Sequence, residues 1–172
     1  MSNKYHNTTT ADADRDYWRT PTEIYTSLNN HFKFDVDLAC TTENCLAPLG
    51  LYYDAGFDSL AVTWSDFGRV GWCNPPYSNI NPWLEKAIAE RNKFTSVFLI
   101  PMPNGEKRDS LIFEASRLYF IRGRVAFINN NTGKPVSGNT RGSVICVYDG
   151  TKTRQSISVK RQSIIDGVAK IV

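Results

Sequence analysis

The stretch Val70-Gly71-Trp72-Cys73-Asn74-Pro75-Pro76-Tyr77 decides how the rest of the chain is read. Its first half is apolar around a glycine and predicts a short buried strand. The two prolines then end the ladder, because neither donates a backbone hydrogen bond and each fixes φ near −65°. A residue that precedes proline is pushed toward an extended conformation, so Asn74 is held at the strand end with its amide free to project. A helix is predicted from about Asn79 to Asn92, with Trp83, Leu84, Ala87 and Ile88 on one face and Glu85, Lys86, Glu90 and Arg91 on the other. Strand, rigid turn and helix make half of a βαβ unit, and open α/β sheets bind ligands at the carboxyl ends of their strands.

Working outward, the N-terminal side carries two more elements. Thr20-Pro21 suits a helix start, with Thr20 as cap, and Ile24, Tyr25, Leu28 and Phe32 follow at helical spacing. Trp18, just ahead, suits a hydrophobic anchor. Phe34-Asp35-Val36-Asp37-Leu38-Ala39-Cys40 alternates apolar and acidic residues and predicts a strand, and Leu49 to Asp54 a second short one. On the C-terminal side, Thr95 to Pro101 is the near-continuous apolar run of a strand buried on both faces. A helix is predicted from Lys107 to Ala115, strands at Leu118–Ile121, Val125–Ile128 and Gly142–Tyr148, a hairpin loop over Asn129–Asn139, and a terminal helix around 160–171. Alternating strands and helices followed by strand after strand predict an α/β fold: a mostly parallel sheet finished by a C-terminal antiparallel hairpin.

Composition narrows the function classes. The 172 residues suit one domain, read as 16–172 behind a polar, flexible tail over 1–15. A net charge of +3 permits a polyanionic partner without demanding one. No apolar run reaches the roughly 18–20 residues of a membrane span, and Met1 to Asp16 has no apolar signal core, so the expected location is the cytoplasm. Cys40, Cys45, Cys73 and Cys146 form no CxxC pair, and His6 and His31 lie away from any cysteine pair, so no metal site is expected and the thiols read as reduced.

The turn at Asn74 suits one kind of chemistry. An aromatic amine such as the N6 group of adenine is a poor nucleophile because its lone pair is delocalised into the ring. Two acceptors that take hydrogen bonds from both N–H groups draw the nitrogen toward sp³ geometry. Asn74 Oδ1 and the Pro75 carbonyl are two such acceptors on a proline-stiffened turn. Asparagine is no general base, so its contribution is positioning and acceptance. Tyr77 offers a flat face for stacking, and a base inside a duplex has to be flipped out to reach the turn.

Asn74-Pro75-Pro76-Tyr77 matches the catalytic motif of amino-methyltransferases. Together with Trp18-Arg19-Thr20-Pro21, Phe34 to Ala39, Asn44, Asp58-Ser59-Leu60, Trp64, Leu99-Ile100-Pro101 and Gly123-Arg124-Val125-Ala126-Phe127, it makes residues 16–149 resemble the phage and prophage DNA N6-adenine methyltransferases, the Dam-like family. The resemblance implies a Rossmann-like, S-adenosylmethionine-dependent methyltransferase in the cytoplasm of a bacterial host, acting on a flipped adenine in DNA. It implies that Asn74, Pro75, Pro76 and Tyr77 take the adenine. Trp18, Thr20, Pro21, Asp37, Ala39, Cys40, Asp58 and Asn74 then hold the cofactor, with Asp37 at its methionine part and Asp58, or Asp54 in its place, near its adenine or ribose. Arg122, Arg124, Lys134 and Arg141 are the DNA-contacting candidates, beside Lys107 and Arg108; Arg124 equally suits an acid partner inside the fold. One departure stands out: Asp37-Leu38-Ala39-Cys40-Thr41-Thr42 has no glycine where many methyltransferases have a glycine-rich turn. A different acceptor, a protein glutamine or RNA adenine, and a catalytically inactive nucleic-acid-binding relative are the rival readings.

Overall fold

A computed structural model describes residues 16, 18–54, 57–103, 105–136 and 141–165; the tail expected over 1–15 lies outside them. Helix α1 (Thr22–Phe32) comes first. It buries Ile24, Tyr25 and Leu28 and ends at Lys33, whose left-handed φ of 59° lets its N–H reach the Asn29 carbonyl. Thr20 does not cap it. Pro21 occupies the cap position without a side-chain bond, and Thr20 Oγ1 is buried with no partner.

Strands β1 (Val36–Cys40), β2 (Leu49–Asp54), β3 (Phe57–Asp58), β4 (Val70–Cys73), β5 (Thr95–Pro101), β6 (Arg117–Arg122), β7 (Ser143–Tyr148) and β8 (Gln155–Lys160) form one sheet in the order β3-β2-β1-β4-β5-β7-β6-β8. The β1–β2, β1–β4, β4–β5 and β6–β8 pairs are parallel, so the sheet is mostly parallel as its sequence pattern indicates. Helices α2 (Asn81–Glu90) and α3 (Glu106–Ile112) cover one face; α1 and α4 (Arg161–Ile165) cover the other. β5 explains its apolar run: Phe98 and Ile100 enter the core beneath Trp83 and Leu84, while Val97 and Leu99 enter the opposite core with Ile24 and Leu28.

The C-terminal third departs from expectation. β6 and β7 are successive, adjacent and antiparallel, as the expected hairpin requires, but β7 inserts between β5 and β6, and β8 follows on the outer side of β6. Val125–Ile128 is not a strand. Gly123, at φ 97°, turns the chain off the sheet, and the edge position beside β6 is filled by β8. Val125 and Phe127 are buried over the sheet, and only Ile128 makes bridges, to Arg19 and Pro135. β8 was hidden in Gln155-Ser-Ile-Ser-Val-Lys, a polar edge strand with a single buried residue, Val159. The predicted terminal helix reduces to Arg161–Ile165 among the described residues.

From β1 the chain moves outward to β2 on one side, and from β4 outward to β5 on the other. The connections leave a crevice at the carboxyl ends of β1 and β4, the topological switch point where such sheets bind ligands. Gly71 leaves room for the side chains packed over this part of the sheet: a Cβ there meets the Phe94 ring at 2.6 Å and Leu38 at 3.0 Å.

Candidate active site

Two strand ends build the site. β4 delivers Asn74, and the prolines carry the chain across the crevice to Tyr77 and Ser78. Asn74 Nδ2 donates to the Trp18 carbonyl at 2.8 Å. A carbonyl only accepts, so this contact fixes which end of the amide is the oxygen. Asn74 Oδ1 accepts from the Tyr77 hydroxyl at 3.1 Å. Burial pushes the Tyr77 phenol well above its ordinary pKa, so it stays a donor. The Tyr77 ring meets Phe127 edge to face at 5.8 Å, and Phe127 stacks on Trp18 at 5.9 Å. The aromatic wall beside the turn therefore comes from three separate segments.

β1 delivers Asp37, which lies opposite Trp72 of β4 and is only 3% exposed. Its carboxylate accepts from the Ala39 N–H at 3.3 Å and the Leu46 N–H at 3.1 Å. These bonds favour the charged form, but burial outweighs them and raises the pKa to about 7. No basic side chain pairs with it among the described residues. Asp35, the other acid of the strand, has a structural task at the far end, where it accepts from the Arg69 and Val70 N–H groups at 2.7 and 3.0 Å. Residues two apart share a face of the pleat, so the two acids differ only in position along the chain: Asp35 lies ahead of β1 and Asp37 within it.

The absence of glycine after β1 has a local cause. Lys33 is the one non-glycine residue with positive φ among the described residues, so the turn that leaves β1 needs no left-handed position. Asn44 closes it instead, with its side-chain oxygen accepting from the Thr41 N–H at 2.6 Å. Ala39 and Cys40 leave room, and the cleft is lined by Asp16, Ala39, Cys40, Thr41, Asn44, Pro76 and Ser78. It continues inward past Trp18, Thr20, Asp37, Leu46 and Asn74.

Asp37, Cys40 and Cys45 place their ligand-type atoms within 4.8 Å of one another. The thiols point at carbonyl oxygens, Cys40 Sγ at Asp37 (3.8 Å) and Leu51 (4.0 Å) and Cys45 Sγ at Ala47 (3.6 Å). Burial, with the Asp37 charge adding to it, raises both pKa values, so both remain protonated donors. All four cysteines are free.

Of the sequence candidates, the structure thus brings Trp18, Thr20, Asp37, Ala39, Cys40, Asn74 and Pro76 to one cleft, and Tyr77 joins it through its bond to Asn74. Pro75 is buried beneath the turn, and Pro21 is buried at the head of α1. Asp58 is exposed on β3, where it accepts from the Leu60 N–H at 2.9 Å; it does not line the cleft. Arg122, Arg124, Lys134 and Arg141 are exposed along the β6–β7 connection. That connection is tied to the site through Arg19: its backbone pairs with Ile128 in both directions, at 2.9 and 3.0 Å, and its Nε donates to Asn130 Oδ1. Lys107 and Arg108 are engaged elsewhere, with Glu85 and Asn81. Sequence reasoning missed Asp16, Tyr25, Leu46 and Ser78. Ser78 had a signal, its place directly after the Asn-Pro-Pro-Tyr turn; the others depend on pairings across the fold.

Three buried polar atoms around Asp37 have no partner among the described residues: Trp18 Nε1, Thr20 Oγ1 and Tyr25 Oη. Together with an acid lacking a cation they suit a polar ligand that carries an ammonium group. An acid-lined cleft at one strand end and an amide-and-aromatic turn at the next suit group transfer between two ligands, as in an amino-methyltransferase. The chain belongs to the DNA N-6-adenine-methyltransferase (Dam) family, whose model matches residues 7–168. It is 33% identical to a DNA N-6-adenine-methyltransferase of Escherichia phage T1 over 162 residues, 84% of this chain and 67% of that protein. It is 29% identical to a protein of the same description from Haemophilus phage HP1 (strain HP1c1) over 147 residues, 81% of this chain and 82% of that one.

Proposed function

We propose that this protein transfers a methyl group from S-adenosylmethionine to N6 of an adenine flipped out of DNA, using a Rossmann-like methyltransferase fold. Membership of the DNA N-6-adenine-methyltransferase family supports the reaction, and one observation carries the site: Asn74 and Asp37 stand on neighbouring strands at the switch point, opening into the same cleft. S-adenosylmethionine supplies an electrophilic methyl on a sulfonium. Asp37 holds the ammonium of its methionine part, with Trp18 Nε1 and Thr20 Oγ1 available to its polar groups.

On the acceptor side, the adenine amino group takes Asn74 Oδ1 and the Pro75 carbonyl as acceptors. The first is now occupied by the Tyr77 hydroxyl, so binding requires that hydroxyl to share or yield the oxygen. The amide is held by Trp18, so it needs no reorganisation when charge develops on N6. Nothing in the turn is a strong base, and the proton leaves to water after transfer. Arg122, Arg124, Lys134 and Arg141 contact the DNA backbone from the β6–β7 connection, beside the Trp18–Phe127 wall. No helix among the described residues is long and apolar enough to cross a membrane. The phage origin of the protein's relatives supports a site of action in the cytoplasm of a bacterial host.

The test is to incubate the protein with labelled S-adenosylmethionine and duplex DNA, RNA or protein and to identify the labelled product after hydrolysis. N6-methyladenine from DNA is the expected product. Label in protein glutamine or only in RNA supports a rival acceptor, and absence of both transfer and cofactor binding supports an inactive relative.

A further inference from the structure

The segment ahead of α1 does more than line the cleft. Asp16 lies across the far side of the Asn-Pro-Pro-Tyr turn from β4, and both of its carboxylate oxygens are used there. One accepts from the Ser78 N–H at 2.9 Å and the other from the Ser78 hydroxyl at 2.6 Å, over a separation of 62 residues. Two residues later the Trp18 carbonyl accepts from Asn74 Nδ2. One residue further, Arg19 pairs its backbone with Ile128. The segment is thus fastened at three successive points, and the middle one sets the direction of the Asn74 amide.

A carbonyl can orient an amide only if the carbonyl is itself held. Arg19 holds it on the C-terminal side. On the N-terminal side, Asp16 is the anchor, and its partner belongs to the same turn as Asn74. Asp16 and Trp18 are therefore both tied to the 74–78 turn by hydrogen bonds, Asp16 to Ser78 and Trp18 to Asn74. Rotation of the amide by half a turn would place Nδ2, a donor, where the adenine amino group needs an acceptor, and would set two donors face to face.

We propose that Asp16 is a positioning residue for the methyl transfer reaction: it latches the N-terminal segment to Ser78 so that the Trp18 carbonyl holds Asn74 Oδ1 toward the acceptor nitrogen. This rests on the reading of Asn74 as the adenine-binding group. Asp16 lines the cleft, but both of its carboxylate oxygens are taken by Ser78, so in this role it acts through the turn. Its loss loosens a geometry in which a displacement of about 1 Å costs on the order of a hundredfold in rate.

The experiment is a double-mutant cycle with Asp16→Ala, Ser78→Ala and the pair, measured as kcat on duplex DNA, cofactor Kd by calorimetry, and NMR exchange of the Asn74 side-chain amide protons. Asp16→Ala is expected to lower kcat roughly ten- to a hundredfold, to weaken cofactor binding by a much smaller factor, and to speed exchange of the Asn74 amide. Ser78→Ala keeps the backbone bond and loses less. The double variant is no slower than Asp16→Ala, because both act through one contact. An unchanged kcat in Asp16→Ala overturns the latch. So does loss of cofactor binding in Asp16→Ala with full activity in Ser78→Ala, which would make the acid a cofactor ligand. Wild-type protein that is inactive on DNA would count against the proposed function instead; the latch is then decided by the exchange measurement alone, where unchanged Asn74 protection rejects it.

Discussion

Burial makes Asp37 the most pH-sensitive group of the site. Its pKa is raised from 3.8 to about 7, and desolvation is the leading cause. That difference corresponds to about 4 kcal/mol held against the ionised form, at 1.36 kcal/mol per pH unit. Between pH 3.8 and about 7 the folded protein keeps a proton that the unfolded chain has lost. Stability without ligand therefore falls as pH rises through that window, and this contribution is flat on either side. The ligand's ammonium reverses the preference, because an opposite charge favours the carboxylate. Binding S-adenosylmethionine near pH 6 then releases up to one proton, and affinity rises toward pH 7 before levelling. Calorimetry at pH 6 in buffers of different ionisation enthalpy measures the proton directly, and denaturant melts from pH 4 to 8 measure the slope. Asp37→Asn is predicted to remove that slope, to be at least as stable as wild type at pH 8, and to bind the cofactor weakly. Wild-type melts that match Asp37→Asn across pH 4–7, or binding with no proton release at pH 6, would refute the reasoning.

Other outcomes follow from the same geometry. Asn74→Ala removes an acceptor aimed at the developing charge and should cost on the order of 10²–10³ in kcat while cofactor Kd stays within a few-fold, checked by methyl transfer and calorimetry. Gly71→Ala inserts a Cβ 2.6 Å from the Phe94 ring and should destabilise the fold by roughly 1–3 kcal/mol in a denaturant melt, with the pH slope from Asp37 preserved. DNA binding should weaken with salt, and replacing either Arg124 or Lys134 by Ala should flatten the plot of log affinity against log salt by about one, without changing sequence preference.

The sequence carried the central elements because their patterns are local. β5 is a five-residue buried run, and Asn74 is framed by its own prolines. What escaped depends on partners distant along the chain. Val125–Ile128 has the composition of a strand, but strand identity needs a neighbour, and β8 takes the place beside β6. β8 itself is an edge strand whose Ser-Ile-Ser-Val-Lys alternation carries two apolar residues, of which Val159 alone is buried, so its signal was weak. Asp35 and Asp37 are equivalent in the sequence; only the register against β4 separates the strand-end tie from the cleft acid. Asp16 and Ser78 are common polar residues, and their pairing exists only after the sheet has brought the N-terminal segment across the turn.

The central claim is that Asn74 presents adenine N6 to a methyl donor held beside Asp37. The most direct measurement is product identification with labelled S-adenosylmethionine and duplex DNA, run in parallel on wild type and Asn74→Ala. The wild type is expected to give labelled N6-methyladenine, and the variant to bind the cofactor but make almost none. Label recovered on another acceptor, or a fully active Asn74→Ala, would contradict it.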